Sequence, residues 1–255
     1  MMFRGRIAAV SYLNTVPFIY GIEHAEHLRA ALLLSPPSRC ATAFNTGQAD
    51  IALLPSGALH TINDADIITP FCIGASGPVR TVTVMGRHPL NEIRRIHLDS
   101  HSMTSALLVK ILCGGLWDIS PEFVHMDDYN VAENPAEGDA FLLIGDKVFD
   151  YEGRFPYVHD LAVEWRRMTG LPFAFAVWVA RRDVPAEYIR ELEEALRFGT
   201  GHVREAIDYY GHSGKPYAYE YLTKNIDFDF DEQKHRALAL YWEEGRKFVD
   251  HINPG

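Results

Sequence analysis

The chain has 255 residues, of which 47% are hydrophobic and 23% are charged, as is typical of one large globular domain or two modest ones. Its formal net charge of −10 argues against a nucleic-acid partner, because phosphate backbones bind to basic surfaces. No stretch approaches the roughly 20 apolar residues that span a bilayer, and no signal-peptide pattern precedes the first apolar run at residues 7–10. We therefore expect a cytoplasmic protein with no membrane or nucleic-acid partner.

The first part of the chain alternates short apolar runs with amphipathic stretches, which is typical of an α/β protein. We predict strands over residues 7–10, 32–34, 51–54, 67–73 and 79–85. One helix follows Thr15, with Pro17 in its first turn, and a second covers residues 37–47. A third helix follows Pro55, with Ser56 as its cap.

The second part repeats this alternation and then changes. We predict strands over residues 95–98, 123–125, 140–144 and 173–179, and helices over 102–113 and 160–168. Gly114 and Gly115 are expected to end the first of these helices, and Gly170 the second. Beyond Pro185 the apolar spacing becomes about 3.6 residues, which predicts helices to the end.

This order of elements favours two lobes, the first from residues 1–85 and 180–255 and the second from residues 86–179. The chain would cross between the lobes along residues 81–86 and 172–181. A ligand cleft would then lie between the lobes, with these hinge strands at its floor. A single doubly wound sheet fits the same alternation.

The cysteines and histidines do not form a metal-binding pattern. Cys40, Cys72 and Cys113 are scattered in apolar surroundings, which is typical of buried, reduced thiols. The histidines, including His101, are dispersed, and no HExxH or Cys/His zinc spacing occurs. The sequence therefore predicts no metal site.

Four segments together resemble the menaquinone-biosynthesis chorismate dehydratases. They are SYLNTVPF at residues 11–18, DIALLPS at 50–56, LDSHSMTS at 98–105, and LIGD at 143–146 combined with Asp160, Leu161, Trp165 and TGLPFAFAVW at 169–178. The likeness covers residues 5–182 and, more loosely, the regions 221–223 and 226–228. The related enzyme that makes 1,4-dihydroxy-6-naphthoate usually has a Ser-Pro-Cys-Pro-Asn-Asp type first loop, which this chain lacks.

This resemblance implies a two-lobed, periplasmic-binding-protein-like (type II) α/β fold with hinge strands and an interlobe cleft. It also implies a lyase of the futalosine pathway that uses no metal or organic cofactor. Chorismate would lose its C3 proton and C4 hydroxyl, giving 3-[(1-carboxyvinyl)oxy]benzoate and water.

The resemblance places Asn14 and Thr81 in the catalytic site. Asn14 follows the first strand, where α/β sheets bind ligands, and its carboxamide can both donate and accept hydrogen bonds. An ordinary turn asparagine is the alternative. Thr81 stands where the family often has serine, so a hydroxyl remains but an added methyl narrows the pocket. We keep its neighbour Arg80 outside the site as a solvated residue.

Further residues are expected to bind the substrate. Ser102, Thr104 and Ser105 open an apolar helix whose first-turn N–H groups can hold a carboxylate, although the same residues serve as ordinary helix caps. Gly145 lets backbone approach a ligand closely, Asp146 is favoured as a structural residue, and Phe173 offers an apolar wall. The resemblance completes the substrate-binding set, which is Ser11, Ser56, Gly77, Ser102, Met103, Thr104, Ser105, Ile144, Gly145, Asp146 and Phe173.

No histidine, glutamate or aspartate stands out as the base that removes the C3 proton. The enolpyruvyl carboxylate of the substrate is one acceptor that makes chemical sense, with the protein holding the reactive conformer and excluding water. The alternative functions are a non-catalytic binding protein for small carboxylates, another enzyme of the same pathway, and the effector domain of a transcription factor. The last lacks a basic patch or helix-turn-helix partner in this chain.

Overall fold

A computed structural model describes residues 3–100 and 102–249 of the chain. Contacts among Cα atoms divide the chain into two units, each with its own sheet. Unit 1 comprises Met1–Gly74 and Ala174–Asp231, and unit 2 comprises Ala75–Phe173 and Glu232–Gly255. The α/β class predicted from the sequence is confirmed.

The described strands and helices alternate through most of the chain. The strands are β1 (Gly5–Val10), β2 (Ala30–Ser35), β3 (Ile51–Pro55), β4 (Ala65–Ala75), β5 (Val82–Gly86), β6 (Arg95–Asp99), β7 (Glu122–Met126), β8 (Asp139–Ile144), β9 (Tyr157–Asp160), β10 (Phe173–Arg181) and β11 (Asp227–Asp229). The helices are α1 (Val16–His24), α2 (Pro37–Asn45), α3 (Met103–Leu112), α4 (Leu161–Thr169), α5 (Ala186–Gly201), α6 (Val203–Tyr209), α7 (Ala218–Glu220) and α8 (Glu232–Val249).

The sheet of unit 1 has six strands in the order β11-β4-β10-β3-β1-β2. β1 runs parallel to both β2 and β3, with Ile7 opposite Leu32 and Ile51, while β10 is antiparallel to β3. The inner strands β1, β3 and β10 are almost wholly buried. Strands buried on both faces are apolar throughout, which is why the sequence pattern identifies them.

The sheet of unit 2 has five strands in the order β7-β6-β8-β5-β9. β6 is parallel to β7 and β8, whereas β5 is antiparallel to β8 and β9. On this unit Trp165, Phe173 and Tyr241 form a buried aromatic cluster, with ring centroids 5.3 Å apart between Phe173 and each of the others.

The two units differ from the sequence-based lobes at three places. Residues 174–179 of β10 belong to unit 1, where β10 pairs with β3, whereas the prediction placed them in the second lobe. β5 lies inside the sheet of unit 2, because it pairs with β8 and β9, whereas the lobe boundary placed it with residues 1–85. α8 also belongs to unit 2, where its Tyr241 hydroxyl donates to the Thr104 carbonyl at 3.0 Å. The apolar stripe of a helix predicts that it covers a core but does not show which one.

α3 ends at Leu112, one residue before the predicted end, but Gly114 and Gly115 do not supply the predicted glycine stop. The chain continues from α3 through a π-helical turn (Cys113–Trp117) and leaves it at Asp118, whose φ is 53°. A Cβ on Gly115 would lie 2.8 Å from the Met168 sulfur. The glycine therefore allows close packing instead of supplying a left-handed stop.

The three cysteines are buried and form no disulfide bond with one another, as the sequence predicts. Burial raises the pKa of the Cys113 thiol to about 12 and also raises that of Cys40, which disfavours the reactive thiolate. Within residues 3–100 and 102–249, no helix is both long and apolar enough to cross a membrane.

Candidate functional site

In unit 1, β1 and β3 are parallel neighbours, so the residues that follow them lie at the same edge of the sheet. Ser11 follows β1, is exposed, and donates its N–H to the Ser35 carbonyl at 3.1 Å. Ser56 follows β3, is fully buried, and donates its hydroxyl to the Ala174 carbonyl at 2.6 Å. Ser56 begins a 3₁₀ helix but makes no side-chain cap.

Asn14 lies in a 3₁₀ turn between β1 and α1, and both ends of its carboxamide have partners. The Thr15 hydroxyl donates to Asn14 Oδ1 at 3.2 Å, and Asn14 Nδ2 donates to the Tyr221 hydroxyl at 3.4 Å. Thr15 therefore holds Asn14 and makes no side-chain cap on α1. A carboxamide has two N–H donors and two acceptor lone pairs, so each end keeps capacity for a ligand.

In unit 2, three predicted segments meet at one edge of the sheet. β6 and β8 are parallel, and the antiparallel β5 begins where β8 ends. This topology brings together Thr81, the start of α3, and the segment from Ile144 to Asp146. Gly145 donates its N–H to the Thr81 carbonyl at 2.9 Å, and Val82 pairs with Ile144.

The turn before β5 is held in an unusual conformation. Arg80 has a φ of 63°, and the Thr81 N–H donates to the Val79 carbonyl at 2.8 Å, which closes a γ-turn. Asp160 accepts the Arg80 N–H at 2.7 Å and also accepts from Ala162 and Val163 at the start of α4. Burial raises the pKa of the Asp160 carboxyl, and the surrounding N–H donors oppose that rise. Thr81 itself is buried at 1% exposure.

We predict that Asp160→Ala lowers the free energy of unfolding by about 2–3 kcal/mol, because it removes a helix cap and orphans the Arg80 N–H. Urea unfolding at neutral pH measures this change. Asp128→Ala is the matched control, since Asp128 is exposed and accepts from the single backbone N–H of Asn130 in its 3₁₀ turn. Equal losses in the two variants would contradict the double role of Asp160.

Gly77 and Arg80 belong to this same turn. Gly77 is half-buried, and a Cβ placed on it would meet nothing within 4 Å. The Arg80 guanidinium pairs with Glu152 at 2.7 Å, and its side chain is 28% exposed, so it is less solvated than the sequence predicted. The Arg166 guanidinium donates to the Ser76 carbonyl, so α4 holds the turn at two points.

The start of α3 carries a buried hydroxyl, that of Ser102. Ser102 occupies the cap position at 4% exposure, yet its Oγ has no hydrogen-bond partner among the described residues and caps no N–H. Thr104 and Ser105 are also buried, and Met103 is half-buried. The first-turn N–H groups of any α-helix lack intrahelical acceptors and attract anions. A carboxylate oxygen at this position would accept hydrogen bonds from the Ser102 hydroxyl and from the first-turn N–H groups of α3.

The segment after β8 depends on a glycine. Gly145 has φ 74° and ψ −164°, a conformation open almost only to glycine. Asp146 follows it, half-buried, and begins a 3₁₀ helix (Asp146–Tyr151). Phe173 is 1% exposed and covered by Trp165 and Tyr241, so its contacts are those of a core residue.

Sequence reasoning did not assign Tyr221, Lys147 or Tyr129 to the site. The only signal for Tyr221 was its place in the loosely similar region at residues 221–223. Lys147 and Tyr129 both contact the buried Asp99 at the end of β6. Asp99 is the polar last residue of the apolar strand β6, and this was the sequence signal by which it could have been found.

Among the described residues, no group of three or more His, Cys, Asp or Glu side chains is placed to hold a metal ion. His101 lies outside the described residues.

Comparison with known proteins identifies the family. A family model for menaquinone biosynthesis matches residues 5–247, which is most of the chain. The chain belongs to this family. The resemblance seen in the four sequence segments is thereby confirmed at the level of the family.

Two relatives that are similar in sequence come from Thermus thermophilus. A chorismate dehydratase is 29% identical over 161 residues, which is 56% of this chain and 58% of that protein. A 1,4-dihydroxy-6-naphthoate synthase is 27% identical over 186 residues, 67% of each chain. The match to the dehydratase thus spans less than two thirds of its length.

Solved structures show the fold of this family member. Protein AF1704 of Archaeoglobus fulgidus has a TM-score of 0.76 at 17% identity, with 96% of this chain and 97% of that chain covered. The Candida albicans CA3427 gene product has the generic periplasmic binding protein fold. It aligns with a TM-score of 0.65 at 12% identity over 98% of this chain and 95% of its own. The periplasmic-binding-protein-like fold predicted from the sequence is confirmed.

Proposed function

We propose that this protein is a chorismate dehydratase, a carbon–oxygen lyase of the futalosine route to menaquinone. It removes the C3 proton and the C4 hydroxyl of chorismate, releasing water and 3-[(1-carboxyvinyl)oxy]benzoate. In this proposal Asn14 and Thr81 are the catalytic residues. The other residues expected from the sequence bind the substrate, apart from Phe173, which is a core residue. The protein acts in the cytoplasm.

The observation that carries the proposal is the buried Ser102 hydroxyl at the start of α3, which has no hydrogen-bond partner within residues 3–100 and 102–249. A donor left without a partner in the interior costs free energy, so a ligand that accepts from it is favoured. A carboxylate suits this position, because the helix N-terminus adds N–H donors and a positive dipole. Chorismate carries two carboxylates, and the family works in menaquinone biosynthesis.

The two carboxylates near the start of α3 and the turn before β5, those of Asp99 and Asp160, already have protein partners. This supports a base that comes from the substrate. Asp160 accepts hydrogen bonds from the backbone, and Asp99 is paired with Lys147. We propose that the enolpyruvyl carboxylate takes the C3 proton while the protein holds the reactive conformer. A single Asp, Glu or His variant that binds chorismate but no longer converts it would show that the protein supplies the base.

The test is incubation of purified, metal-free protein with chorismate, with the products followed by mass-resolved chromatography. Loss of one water to give the aromatic enolpyruvyl ether is the expected result. Chorismate that binds and stays unchanged would point to a binding protein of the same fold. Conversion of a cyclised futalosine derivative instead would place the protein beside the naphthoate synthase relative.

We predict that Ser102→Ala raises the KM for chorismate about tenfold, because a hydrogen bond to a charged group is lost. Without ligand, the same variant keeps its stability or gains up to about 1 kcal/mol, since an unpartnered buried hydroxyl is removed. Steady-state kinetics and thermal unfolding measure the two effects. Ser100→Ala, which changes an exposed serine nearby, is the control. A loss of stability with an unchanged KM would show that Ser102 is structural.

A further inference from the structure

A buried charged network lies in unit 2 at the edge of the sheet that carries Ser102 and Gly145. Lys147 Nζ is 2.5 Å from Asp99 Oδ2, and the Tyr129 hydroxyl donates to the same oxygen at 2.9 Å. Lys147 also donates to the Tyr129 oxygen and lies 3.7 Å from the centre of its ring. The Asp99 side chain is fully buried, while that of Lys147 is 25% exposed.

The network connects three adjacent loops. Asp99 ends β6, Tyr129 begins the 3₁₀ helix (Tyr129–Ala132) that follows β7, and Lys147 lies in the 3₁₀ helix that follows β8. β7, β6 and β8 are neighbouring parallel strands, so their carboxyl ends share one edge of the sheet. Ligands of open α/β sheets bind at such an edge.

Two of these loops carry residues of the proposed site. The Asp99 carbonyl accepts the Ser102 N–H at 3.0 Å, so a movement of Asp99 is transmitted to the start of α3. Lys147 comes two residues after Gly145, whose N–H donates to the Thr81 carbonyl. The Asp99–Lys147 pair therefore links the position of Ser102 to that of Gly145.

Stability alone does not account for such a network. A buried ion pair roughly balances the cost of removing its charges from water, and apolar residues of similar size serve as well or better. What the charges add is a defined geometry. Lys147 and Tyr129 line an open surface groove of about 450 Å³, so there is space beside the lysine for other positions when the phenol does not hold it.

We propose that Asp99, Lys147 and Tyr129 are positioning residues that keep Ser102 and Gly145 at a fixed separation for substrate binding. The substrate part of this inference rests on the proposed function. The network does not touch chorismate and acts through the two loops.

Tyr129→Phe tests the network, because it removes one oxygen and keeps the ring beneath Lys147. We expect the KM for chorismate to rise about tenfold, with kcat changed less than about twofold. Lys147→Met should raise the KM further, and Lys147→Arg should restore most of the loss. A lower Tm with wild-type kinetic constants would overturn the proposal.

Tyr188→Phe is the matched control, since this buried tyrosine of unit 1 donates its hydroxyl to the Arg29 carbonyl at 3.0 Å. Its kinetic constants should match those of the wild type. If the wild type does not convert chorismate, the proposed function fails, and amide hydrogen exchange still tests the network. Tyr129→Phe should then speed exchange at the hydrogen-bonded amides of both Ser102 and Gly145, and unchanged exchange would overturn the inference.

Discussion

Asn14→Ala is expected to lower kcat/KM for chorismate by about 10²–10³-fold, mostly through kcat, with little change in stability. The carboxamide is half-buried and oriented at both ends by the protein. Preorganised neutral donors stabilise charge that develops in a reaction without reorganising first. Asn14→Asp should be at least as damaging, because it places a negative charge next to a dianionic substrate. Steady-state kinetics with chorismate measure both variants.

A double-mutant cycle shows whether Tyr221 acts through Asn14. Tyr221→Phe removes only the hydroxyl that accepts from Asn14 Nδ2, and we expect kcat to fall by about 5- to 10-fold. In an Asn14→Ala background the same change should have almost no effect, because the group that it orients is gone. Additive effects would show that the two residues act independently, and wild-type activity of Asn14→Ala would remove Asn14 from the catalytic site.

Much of the fold could be predicted because its signals are local. The cap at Asp160 and the left-handed Gly170 define α4 within one residue of the predicted ends. Buried strands such as β1, β3 and β8 are continuous apolar runs that need no partner to be recognised. β11 was missed because it has three residues with two acidic side chains and an irregular register with β4.

The site could be predicted only in part, because its support comes from distant residues. Thr81 and Gly145 were both expected, yet their hydrogen bond follows from the pairing of β5 with β8 and not from either motif. Tyr221 lies 207 positions from Asn14, and no spacing rule connects them. The Asp99–Lys147 pair likewise depends on β6 and β8 being neighbours.

The largest stability effect is expected where α1 crosses α5 in unit 1. A Cβ on Gly199 would overlap the Pro17 carbonyl oxygen and lie 2.9 Å from the Gly21 nitrogen. A Cβ on Gly21 would overlap the Ala195 carbonyl oxygen and lie 2.9 Å from the Gly199 nitrogen. Backbone meets backbone at this crossing, so no side chain can rotate away to make room.

We therefore predict that Gly21→Ala and Gly199→Ala each lower the free energy of unfolding by about 3 kcal/mol, despite the higher helix propensity of alanine. For a chain of this size, the Tm should fall by roughly 6–10 °C in thermal unfolding. Gly201→Ala, in the same helix, is the control, because its Cβ would meet nothing within 4 Å. That variant should change stability by less than about 1 kcal/mol, or raise it.

The double variant gives the sharper result. Once the helices separate to admit one methyl group, the second methyl enters space that is already open. Gly21→Ala combined with Gly199→Ala should therefore cost clearly less than the sum of the single losses, as expected for neighbouring sites. Losses that add fully would mean that each methyl group is accommodated by a separate distortion, which is inconsistent with a single close crossing of α1 and α5.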